Sequence, residues 1–390
     1  MKISPAARAA VAALSFAPAL LAAQTPTSVT QLTAQAHSLV SAAGDIVNDP
    51  RYMTPVSPAY NGVGSVRITT LAGTFICTGS LMEDGKSVLT AAHCVTGSIG
   101  TVTAISVNFF PVNSSAVTLA ASSWTANPGY SGRVIDENDV AVIHLAAEAP
   151  ANISRYALYS GTAVNNAFEF VGYGQKGSNG AGVSIGAGFG LSSRRSGENL
   201  FDIAGGDSRF QCPTGSPFCA PGTNFWNNIF GSSAGNVNHV LFTDFDNGST
   251  GFSSHDTFCV LGQFNGDESL GTSECNSGYG LEEAISGGGD SGGPGFIDGR
   301  VASITSFGAS FGSGAGDIDN ALNSSFGELA GFTDVSYHYQ WLQSQLDQSS
   351  LDPTVSGPTS VAPEPGTTVL MATGLIGIAG IARRRRNKKS

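Results

Sequence analysis

Charged side chains are scarce in this chain of 390 residues, in which Asp, Glu, Lys and Arg together make up only 12%. Ordinary soluble domains carry roughly 25% charged residues, and coiled coils and charged helical arrays carry more. The low charge therefore excludes coiled coils and charged helical arrays. Basic residues are scarcer still between the two ends, where ten Lys and Arg stand against 28 Asp and Glu. A body this acidic lacks the positive surface that binds nucleic acid, and we expect no nucleic-acid partner.

Glycine, in contrast, is abundant, with 51 residues, and hydrophobic residues make up 41% of the chain. That apolar content is enough to bury a core, which excludes a disordered protein. From Gly62 onward, short runs rich in β-branched residues alternate with Gly, Ser and Asn turns, a pattern that predicts an all-β fold. Clear examples are Ser65–Thr69, Ser87–Thr90, Ile105–Phe109 and Val140–Ile143.

Two other stretches of the body differ from this pattern. Residues 177 to about 251 are rich in Gly, Ser and Asn with scattered aromatic residues, a composition that predicts long surface loops. Trp341, Leu342 and Leu346 have the spacing of one short amphipathic helix.

The first 23 residues are typical of a secretory signal peptide. Lys2 and Arg8 come first, an uncharged run from Ala9 to Leu21 follows, and the small residues Ala22 and Ala23 end the segment. This order predicts export and cleavage after Ala22 or Ala23. Export would deliver the six cysteines to an oxidising compartment, where an even number favours disulfides.

The C-terminal end has three parts. Pro363-Glu364-Pro365 precedes an uncharged run from Gly366 to Ala382, and four arginines follow at 383–386. About 17 residues is the lower limit for crossing a bilayer, and the arginines would stay on the cytoplasmic side. The three parts in this order resemble the PEP-CTERM sorting signal of Gram-negative bacteria.

The PEP-CTERM resemblance implies a C-terminal hydrophobic helix that holds the protein to the membrane and is processed by an exosortase-type enzyme. It also implies export across the bacterial inner membrane. The body would then lie in the cell envelope, at the cell surface, or be secreted after C-terminal processing. An ordinary C-terminal membrane anchor is the alternative interpretation of the same residues.

The strongest chemical signal is the run Gly289-Asp290-Ser291-Gly292-Gly293-Pro294. A serine hydroxyl needs a neighbouring base, an acid that orients the base, and donors for the developing oxyanion. His93, after Thr90-Ala91-Ala92, supplies an imidazole, and Asp139, just before the apolar run that starts at Val140, supplies an acid.

The three segments, in the order His, Asp, Ser, resemble the trypsin/chymotrypsin family of serine proteases, peptidase S1. Gly172-Tyr173-Gly174 and Phe332–Val335 add to the resemblance, which runs from about Gly62 to Leu346. It implies two six-stranded antiparallel β-barrels with a short C-terminal helix, and an active site in the crevice between the barrels. Together with the patterns at the two ends and the composition of the connecting segments, it divides the chain into a signal peptide (1–23), a linker or propeptide (24–60), a protease domain (61–347), a stalk (348–362) and a sorting segment (363–390).

The resemblance also implies the role of each residue. Ser291 would be the nucleophile, His93 the general base, and Asp139 the acid that orients His93. The backbone N–H groups of Gly289 and Ser291 would form the oxyanion hole. The run Ser306-Phe307-Gly308 would pair with the backbone of a polypeptide substrate.

Several positions depart from the family pattern. The residue six positions before the nucleophile, an Asp in members that cut after Lys or Arg, is Ile285 here, which favours an apolar or small side chain before the cut. Gly287 stands where the family often has a cysteine that braces the pocket. No start resembling Ile-Val-Gly-Gly is visible, and Arg51 is a poor activation site. The freed amine that pairs with the family's equivalent of Asp290 is therefore not identified.

For the cysteines, the resemblance implies the disulfides Cys77–Cys94 and Cys259–Cys275, with Cys212–Cys219 as a local pair in an inserted loop. Other pairings of the last four remain compatible with the sequence. The run from Asp244 to Gly248 has the acidic spacing of a calcium loop, but its twelfth position is His255 instead of Glu. We predict no metal and no cofactor.

The sequence therefore predicts an exported serine endopeptidase. Two alternatives remain open: a catalytically silent protease-like protein that binds partners at the cell surface or in a matrix, and a serine esterase that uses the same three residues.

Overall fold

Two short strands, β1 (Thr33–Gln35) and β2 (Ser38–Ala42), lie in the segment expected to be a linker or propeptide. The structure is a computed structural model that describes residues 33–35, 38–42, 52, 58–96, 100–178, 180–210, 222–248, 255–264, 278–279 and 282–346. The described part belongs to one compact unit, which begins at Gln31. The Ala- and Ser-rich composition of this segment does not predict strands, because both strands depend on partners more than 130 residues away along the chain.

Six antiparallel strands close a barrel between residues 63 and 145. The β-branched runs form it as predicted: Val66 and Ile68 point into the core, and Arg67 between them is exposed. This alternation buries one face of the strand in this stretch. The strands follow one another around the barrel in the order β3 (Val63–Thr70), β4 (Gly73–Leu81), β5 (Ser87–Thr90), β8 (Ala141–Leu145), β7 (Val117–Ala126) and β6 (Val102–Phe109).

The second half of the described chain forms an eight-stranded sheet instead of the predicted second six-stranded barrel. Its strands are β12 (Arg195–Leu200), β9 (Ala167–Gly172), β16 (Pro294–Ile297), β17 (Arg300–Ser310), β18 (Glu328–Asp334), β14 (Val240–Asp244) and β13 (Ile203–Ala204), in that order, with β1 paired to β17. Within the described ranges, β12 and β13 at its two ends do not pair with each other. β13 has only two residues and pairs with β14, too short a ladder to continue to β12. The all-β class and one closed barrel are confirmed.

A smaller, four-stranded sheet joins the N-terminal segment to the second half. β2 is its third strand, parallel to β10 (Lys176–Ser178) and antiparallel to β15 (Ala284–Gly287). The strand β11 (Val183–Ile185) pairs with the other edge of β10. β2 therefore lies between two strands that belong to the second half of the protein.

The Gly- and Asn-rich stretch after residue 177 is not only surface loop, and this part of the prediction was wrong. Trp226 in the helix α2 (Phe225–Phe230) is fully buried. Its ring centroid lies 4.8 Å from that of Phe210 and 4.6 Å from that of Phe242. Aromatic side chains bury so much surface each that a few of them form a core despite the many glycines around them.

The described helices are few and short. They are α1 (Ala92–Val95), α2, α3 (Thr257–Phe264) and α4 (Tyr339–Gln345). The predicted C-terminal helix of the body is confirmed, and it buries Leu342. The hydrophobic helix expected near the C-terminus lies outside the described residues, and none of the described helices is long and apolar enough to span a membrane.

Candidate active site

The imidazole of His93 and the carboxylate of Asp139 lie in direct contact. His93 Nδ1 is 2.7 Å from Asp139 Oδ2, and the backbone N–H of His93 donates to Oδ1 at 2.8 Å. α1 carries His93 at the end of β5, and Asp139 lies just before β8, which pairs with β5. Adjacent strands of the barrel therefore bring together two residues that are 46 positions apart.

The second sheet also holds Asp139. The hydroxyl of Ser306, on β17, donates to Asp139 Oδ2 at 2.5 Å, and the hydroxyl of Thr333, on β18, donates to the Asp139 carbonyl at 3.0 Å. Asp139 is fully buried. A buried carboxylate that accepts several hydrogen bonds is fixed in one orientation. The imidazole that it contacts is fixed with it.

Ser291 lies in the loop between β15 and β16, next to the helix of His93. Its carbonyl accepts the N–H of Thr78 at 2.8 Å and lies 3.7 Å from the Sγ atom of Cys94. The next residue, Gly292, has a φ of +83°, and a Cβ there would lie 2.0 Å from Thr90 Oγ1. The loop can therefore pass this close to β5 only with glycine after the serine.

The first predicted disulfide is confirmed. Cys77 on β4 and Cys94 on α1 are bonded, with their Cα atoms 6.4 Å apart. This bond ties the residue after His93 to the strand that carries Thr78. Cys259 is also disulfide-bonded, but Cys212, Cys219 and Cys275 lie outside the described residues, so the pairing of these four stays a prediction.

The peptide groups on both sides of Gly289 are held by hydrogen bonds. The N–H of Gln175 donates to the Gly288 carbonyl at 2.8 Å, and the hydroxyl of Thr78 donates to the Gly289 carbonyl at 2.8 Å. In a trans peptide the N–H points opposite to the carbonyl, so the N–H of Gly289 faces away from Gln175. Gly289 has a φ of +106°, which glycine adopts without strain.

Asp290, between the predicted oxyanion residue and the predicted nucleophile, is buried against glycines. Its carboxylate accepts the N–H of Gly174 at 2.7 Å and that of Gly287 at 2.8 Å. Burial raises the pKa of Asp290 to about 7, although the N–H of Gly174 and the charge of Lys176 oppose the shift. A Cβ on Gly172 would lie 1.8 Å from Asp290 Oδ1. The glycines of the Gly-Tyr-Gly run thus leave room for this carboxylate.

The predicted substrate-binding residues lie on two strands. Ile285, on β15, is buried in an apolar cluster that includes Phe168 and Phe170. On β17, the ring of Phe307 is fully buried and packs at 5.9 Å from Phe242, while the Ser306 hydroxyl contacts Asp139. Gly308 follows them and pairs with β1. Contact of these residues with a substrate stays a prediction.

A second cluster of buried acids lies apart from these residues. Carboxylate oxygens of Asp244, Asp246 and Glu283 lie within 4.8 Å of one another and are close enough to approach one cation. Burial, with repulsion from neighbouring carboxylates, raises the pKa of Asp244 and of Glu283, and burial raises that of Asp246 to about 6. Protonation can satisfy such a cluster as well as a cation can, so proximity alone does not define a metal site.

Only part of this acidic cluster is apparent from the sequence. Asp244 and Asp246 have the spacing of calcium-loop acids, but nothing in the sequence joins Glu283 to them, although it accepts the N–H of Asp246 at 3.2 Å. The expected twelfth loop position, His255, instead has its Nδ1 atom 2.6 Å from the Gly316 carbonyl. Thr78 was not singled out either, because nothing near it in the sequence marks its contacts with residues 289 and 291.

Two family models match parts of this chain. The trypsin family model matches residues 56–187, and the model of the PEP-CTERM protein-sorting motif matches residues 361–386. The comparison with curated proteins gives no match. One similar solved structure is neuropsin, described as a serine protease expressed in the limbic system of mouse brain; it is 15% identical, with 75% of this chain and 98% of that chain covered and a TM-score of 0.45. Another is HL collagenase, 19% identical, with 77% and 97% covered and a TM-score of 0.44. The chain therefore carries a trypsin-family match at residues 56–187 and, at residues 361–386, a PEP-CTERM sorting motif, which implies export and recognition by an exosortase.

Proposed function

We propose that this protein is an exported serine endopeptidase, with Ser291 as nucleophile, His93 as general base and Asp139 as the residue that orients the base. The observation that carries the proposal is the buried hydrogen-bond network in which Asp139 contacts both the backbone and the imidazole of His93. The loop of Ser291 is held beside this network by a hydrogen bond from the N–H of Thr78, on β4, to the Ser291 carbonyl.

In the proposed reaction, Ser291 Oγ attacks the carbonyl carbon of the scissile peptide bond while its proton passes to His93 Nε2. The tetrahedral intermediate collapses, the C–N bond breaks, and His93 returns the proton to the leaving amine. Water then attacks the acyl-enzyme, with His93 again accepting a proton. The second peptide product leaves with a new carboxylate, and the serine hydroxyl is restored.

The contacts of Asp139 support its proposed role. With Nδ1 of His93 facing Asp139, the neutral imidazole would carry its proton on Nδ1, and Nε2 would be the atom that accepts the proton of a hydroxyl group. The imidazolium that forms during attack is stabilised by a buried carboxylate. This carboxylate stays in place because Ser306 also holds it.

The geometry around Gly289 supports an oxyanion hole. Both peptide groups that flank this residue are fixed before any substrate binds, so its N–H keeps one direction. Donors that are already oriented stabilise developing negative charge without reorganisation, and one such donor is worth roughly 2.7–4 kcal/mol in comparable sites. The N–H of Ser291 would be the second donor.

The finer architecture belongs to the same proposal. We place the reaction in the crevice between the barrel and the second half, where the two contribute His93 and Ser291 respectively. We also propose that a signal peptide at 1–23 is cleaved and that residues 348–362 form a stalk. A membrane helix in the tail would hold the protein at the membrane until an exosortase processes it. Its partners would then be polypeptide substrates and the sorting enzyme.

A peptide library tests this function against its alternatives. The purified chain is incubated with the library and with a p-nitrophenyl ester, beside a Ser291→Ala variant, and the products are identified by mass spectrometry. We expect peptide cleavage that Ser291→Ala abolishes, with apolar or small residues before the cut. Ester hydrolysis without peptide cleavage would identify an esterase, and no turnover of either would favour a binding protein.

A further inference from the structure

Thr78, on β4, makes contact with the loop of Ser291 through two of its groups. Its backbone N–H donates to the Ser291 carbonyl at 2.8 Å, and its hydroxyl donates to the Gly289 carbonyl at 2.8 Å. The same hydroxyl accepts the N–H of Tyr173 at 3.1 Å. A threonine hydroxyl has one proton, and because its oxygen already accepts from Tyr173, that proton is available for Gly289.

The bond to Gly289 matters because of what a rotation there would do. The Gly289 carbonyl and the N–H of Asp290 form one peptide group, and this N–H donates to the Gly287 carbonyl at 2.7 Å. Loss of the Thr78 hydroxyl would remove one of the two hydrogen bonds that hold this peptide group. Glycine offers little resistance to a change of φ or ψ, and a change of ψ at Gly289 would alter the direction of its N–H relative to Ser291. Thr78 is fully buried, so water does not readily replace the lost hydroxyl.

We propose that the Thr78 hydroxyl is a positioning residue for the oxyanion hole and acts by fixing the carbonyl of Gly289. The inference rests on the proposed function. It predicts an effect on the rate of the chemical step and not on substrate binding, since Thr78 is buried behind the loop.

Thr78→Val removes the hydroxyl and keeps the shape, and Thr78→Ser keeps the hydroxyl. Thr257→Val is the matched control, because the Thr257 hydroxyl is equally buried and donates to the Gly327 carbonyl at 2.7 Å, away from Ser291. With a peptide substrate we expect Thr78→Val to lower kcat roughly 10- to 100-fold with KM unchanged, since a displacement of about 1 Å at a reacting group can cost about 100-fold. Thr78→Ser should recover most of kcat, and Thr257→Val should keep all of it.

Three results would overturn this inference. Thr78→Val could keep the kcat of the original chain, Thr78→Ser could be as slow as Thr78→Val, or Thr257→Val could lose as much kcat as Thr78→Val. Thermal unfolding of each variant is measured alongside, so that a loss of folded protein is not counted as a loss of kcat. An original chain that cleaves no peptide would overturn the proposed function and this inference together.

A second inference comes from an independent observation, the position of β1. Gln35, Ala34 and Thr33 pair with Gly308, Ala309 and Ser310 of β17. The opposite edge of β17 is already paired with β18 over the same residues. β16 pairs with this edge of β17 only as far as Ile304. β1 therefore covers a part of the same edge that lies beyond Ile304.

This edge of β17 is the one that faces the predicted nucleophile. Between the part paired with β16 and the part paired with β1, Thr305 exchanges hydrogen bonds with the loop of Ser291. The Gly292 N–H donates to the Thr305 carbonyl at 2.8 Å, and the Thr305 N–H donates to the Gly293 carbonyl at 2.9 Å. The next residue, Ser306, contacts Asp139. β1 runs antiparallel to β17 with Gln35 nearest to Ser306.

The next strand, β2, begins on the other side of this loop. Its first residue, Ser38, pairs with Gly287, whose N–H donates to the carboxylate of Asp290. β2 is held on both edges, by β10 and β15. Only two residues separate β1 from β2. The N-terminal segment is thus anchored by β2 beside the loop of Ser291, and β1 is tethered next to the edge of β17.

We infer that β1 is a tethered competitor of the substrate, so that an extended polypeptide must displace it to pair with residues 308–310. The inference deepens the proposed function and rests on it. If β1 stays paired in about 90% of molecules, only a tenth of them can bind an extended peptide, and the apparent KM rises about tenfold.

The test is a double variant, Ala34→Pro with Gln35→Pro, which removes two strand N–H groups without changing the body. Val29→Pro, outside β1, is the matched control, and intact mass spectrometry verifies that residues 33–42 are present in each preparation. Two substrates are compared: an extended peptide of six residues before the cut, and a short acetyl ester that does not reach Gly308. We expect the double variant to lower KM for the peptide about tenfold and to leave ester hydrolysis unchanged.

Equal KM values for the peptide in the double variant and in Val29→Pro would overturn the competitor inference. Faster hydrolysis of both substrates would also overturn it, because that result would mean a general effect on the nucleophile. A synthetic peptide of residues 30–37 adds a second measurement. It should inhibit the double variant competitively against the extended peptide, and no inhibition at millimolar concentration would contradict the inference.

Discussion

The closed barrel and the second half of the protein have cores of different amino-acid composition. The barrel, residues 63–145, has a core made mainly of Val, Ile and Leu. The second half relies on aromatic clusters, in which Phe168 stacks on Phe201 at 3.7 Å and Trp226 on Phe242 at 4.6 Å. The trypsin family match covers the barrel and ends at residue 187, before the loop of Ser291.

The candidate site depends on both halves of the protein. The barrel contributes His93 and Asp139, and the second half contributes Ser291 and the Ser306 hydroxyl that holds Asp139. Thr78 of the barrel connects the two through hydrogen bonds to the carbonyls of Ser291 and Gly289. We therefore expect changes in the residues that meet at the site, from either half, to affect chemistry most, and changes in the aromatic clusters to affect stability most.

The largest effect is expected from Asp139→Asn in the barrel. The amide would favour the wrong tautomer of His93 and leave its imidazolium without a charge partner, so kcat should fall roughly 10⁴-fold. Steady-state hydrolysis of a peptide substrate measures the change. Ser306→Ala, in the second half, removes only one hydrogen bond to Asp139 and should cost much less. Equal losses of kcat in the two variants would mean that the hydrogen bond from Ser306 matters as much as the carboxylate of Asp139, which would contradict the roles assigned to the two halves.

Trp226→Ala is expected to have the next largest effect. It leaves a cavity among Phe210, Phe230 and Phe242, and should lower the free energy of unfolding by about 3–5 kcal/mol. Chemical denaturation followed by circular dichroism measures it. The control is Trp124→Ala on β7, which is only partly buried against the barrel core and should cost less. A larger loss at Trp124 would contradict the expectation that the aromatic cluster around Trp226 contributes more stability than a partly buried aromatic residue of the barrel.

Removal of the disulfide with Cys77→Ala and Cys94→Ala should cost about 3 kcal/mol of unfolding free energy. The bond closes a loop of 17 residues in sequence and holds α1 against β4. Denaturation of the double variant measures the loss, and unchanged stability would show that the strands alone fix α1.

Trp226→Ala combined with this double variant should give additive losses of unfolding free energy, since the two sites belong to different cores.

The smallest effect is a pH dependence of stability that comes from the acids of the second half. The raised pKa values of Asp246 and Glu283 mean that the folded protein keeps protons that the unfolded chain releases near pH 4. The free energy of unfolding should therefore fall as pH rises from about 4 through 6, by on the order of 1–2 kcal/mol for Asp246, and should continue to fall through about pH 7, where Asp290 also loses its proton. Urea denaturation at several pH values measures this slope.

The matched variants for the pH dependence are Asp246→Asn and Asp298→Asn. The first removes a buried carboxylate and should flatten the slope between about pH 4 and 6, while the second changes an exposed turn residue and should leave it unchanged. A slope that persists over this range in Asp246→Asn would assign that part of the pH dependence to other groups.

The sequence was most informative where local pattern decides structure. Alternating residues such as Val66, Arg67 and Ile68 predict barrel strands, and the motifs around His93 and Ser291 predict the residues that the fold brings close to one another. The aromatic core around Trp226 was missed because its members are spread through Gly- and Asn-rich segments that read as loops. Their association depends on distant contacts that no local period records.

Two further features could not be predicted for the same reason. The hydroxyl of Thr78 meets Gly289 across 211 positions of sequence, and nothing near Thr78 marks that contact. β1 and β2 have no strand pattern of their own and exist because β17, β10 and β15 offer unpaired edges. Similarly, Glu283 joins the acidic cluster only because β15 brings it beside residue 246.

The most direct test of the account is the labelling of Ser291 by a fluorophosphonate, with the adduct located by mass spectrometry of peptide fragments. We expect a single adduct on Ser291, formed much more slowly in Asp139→Asn and absent in Ser291→Ala. That result would establish an activated serine whose reactivity depends on a residue from the other half of the protein. An adduct elsewhere, or labelling of Ser291 at the same rate in Asp139→Asn, would contradict the proposed catalytic group.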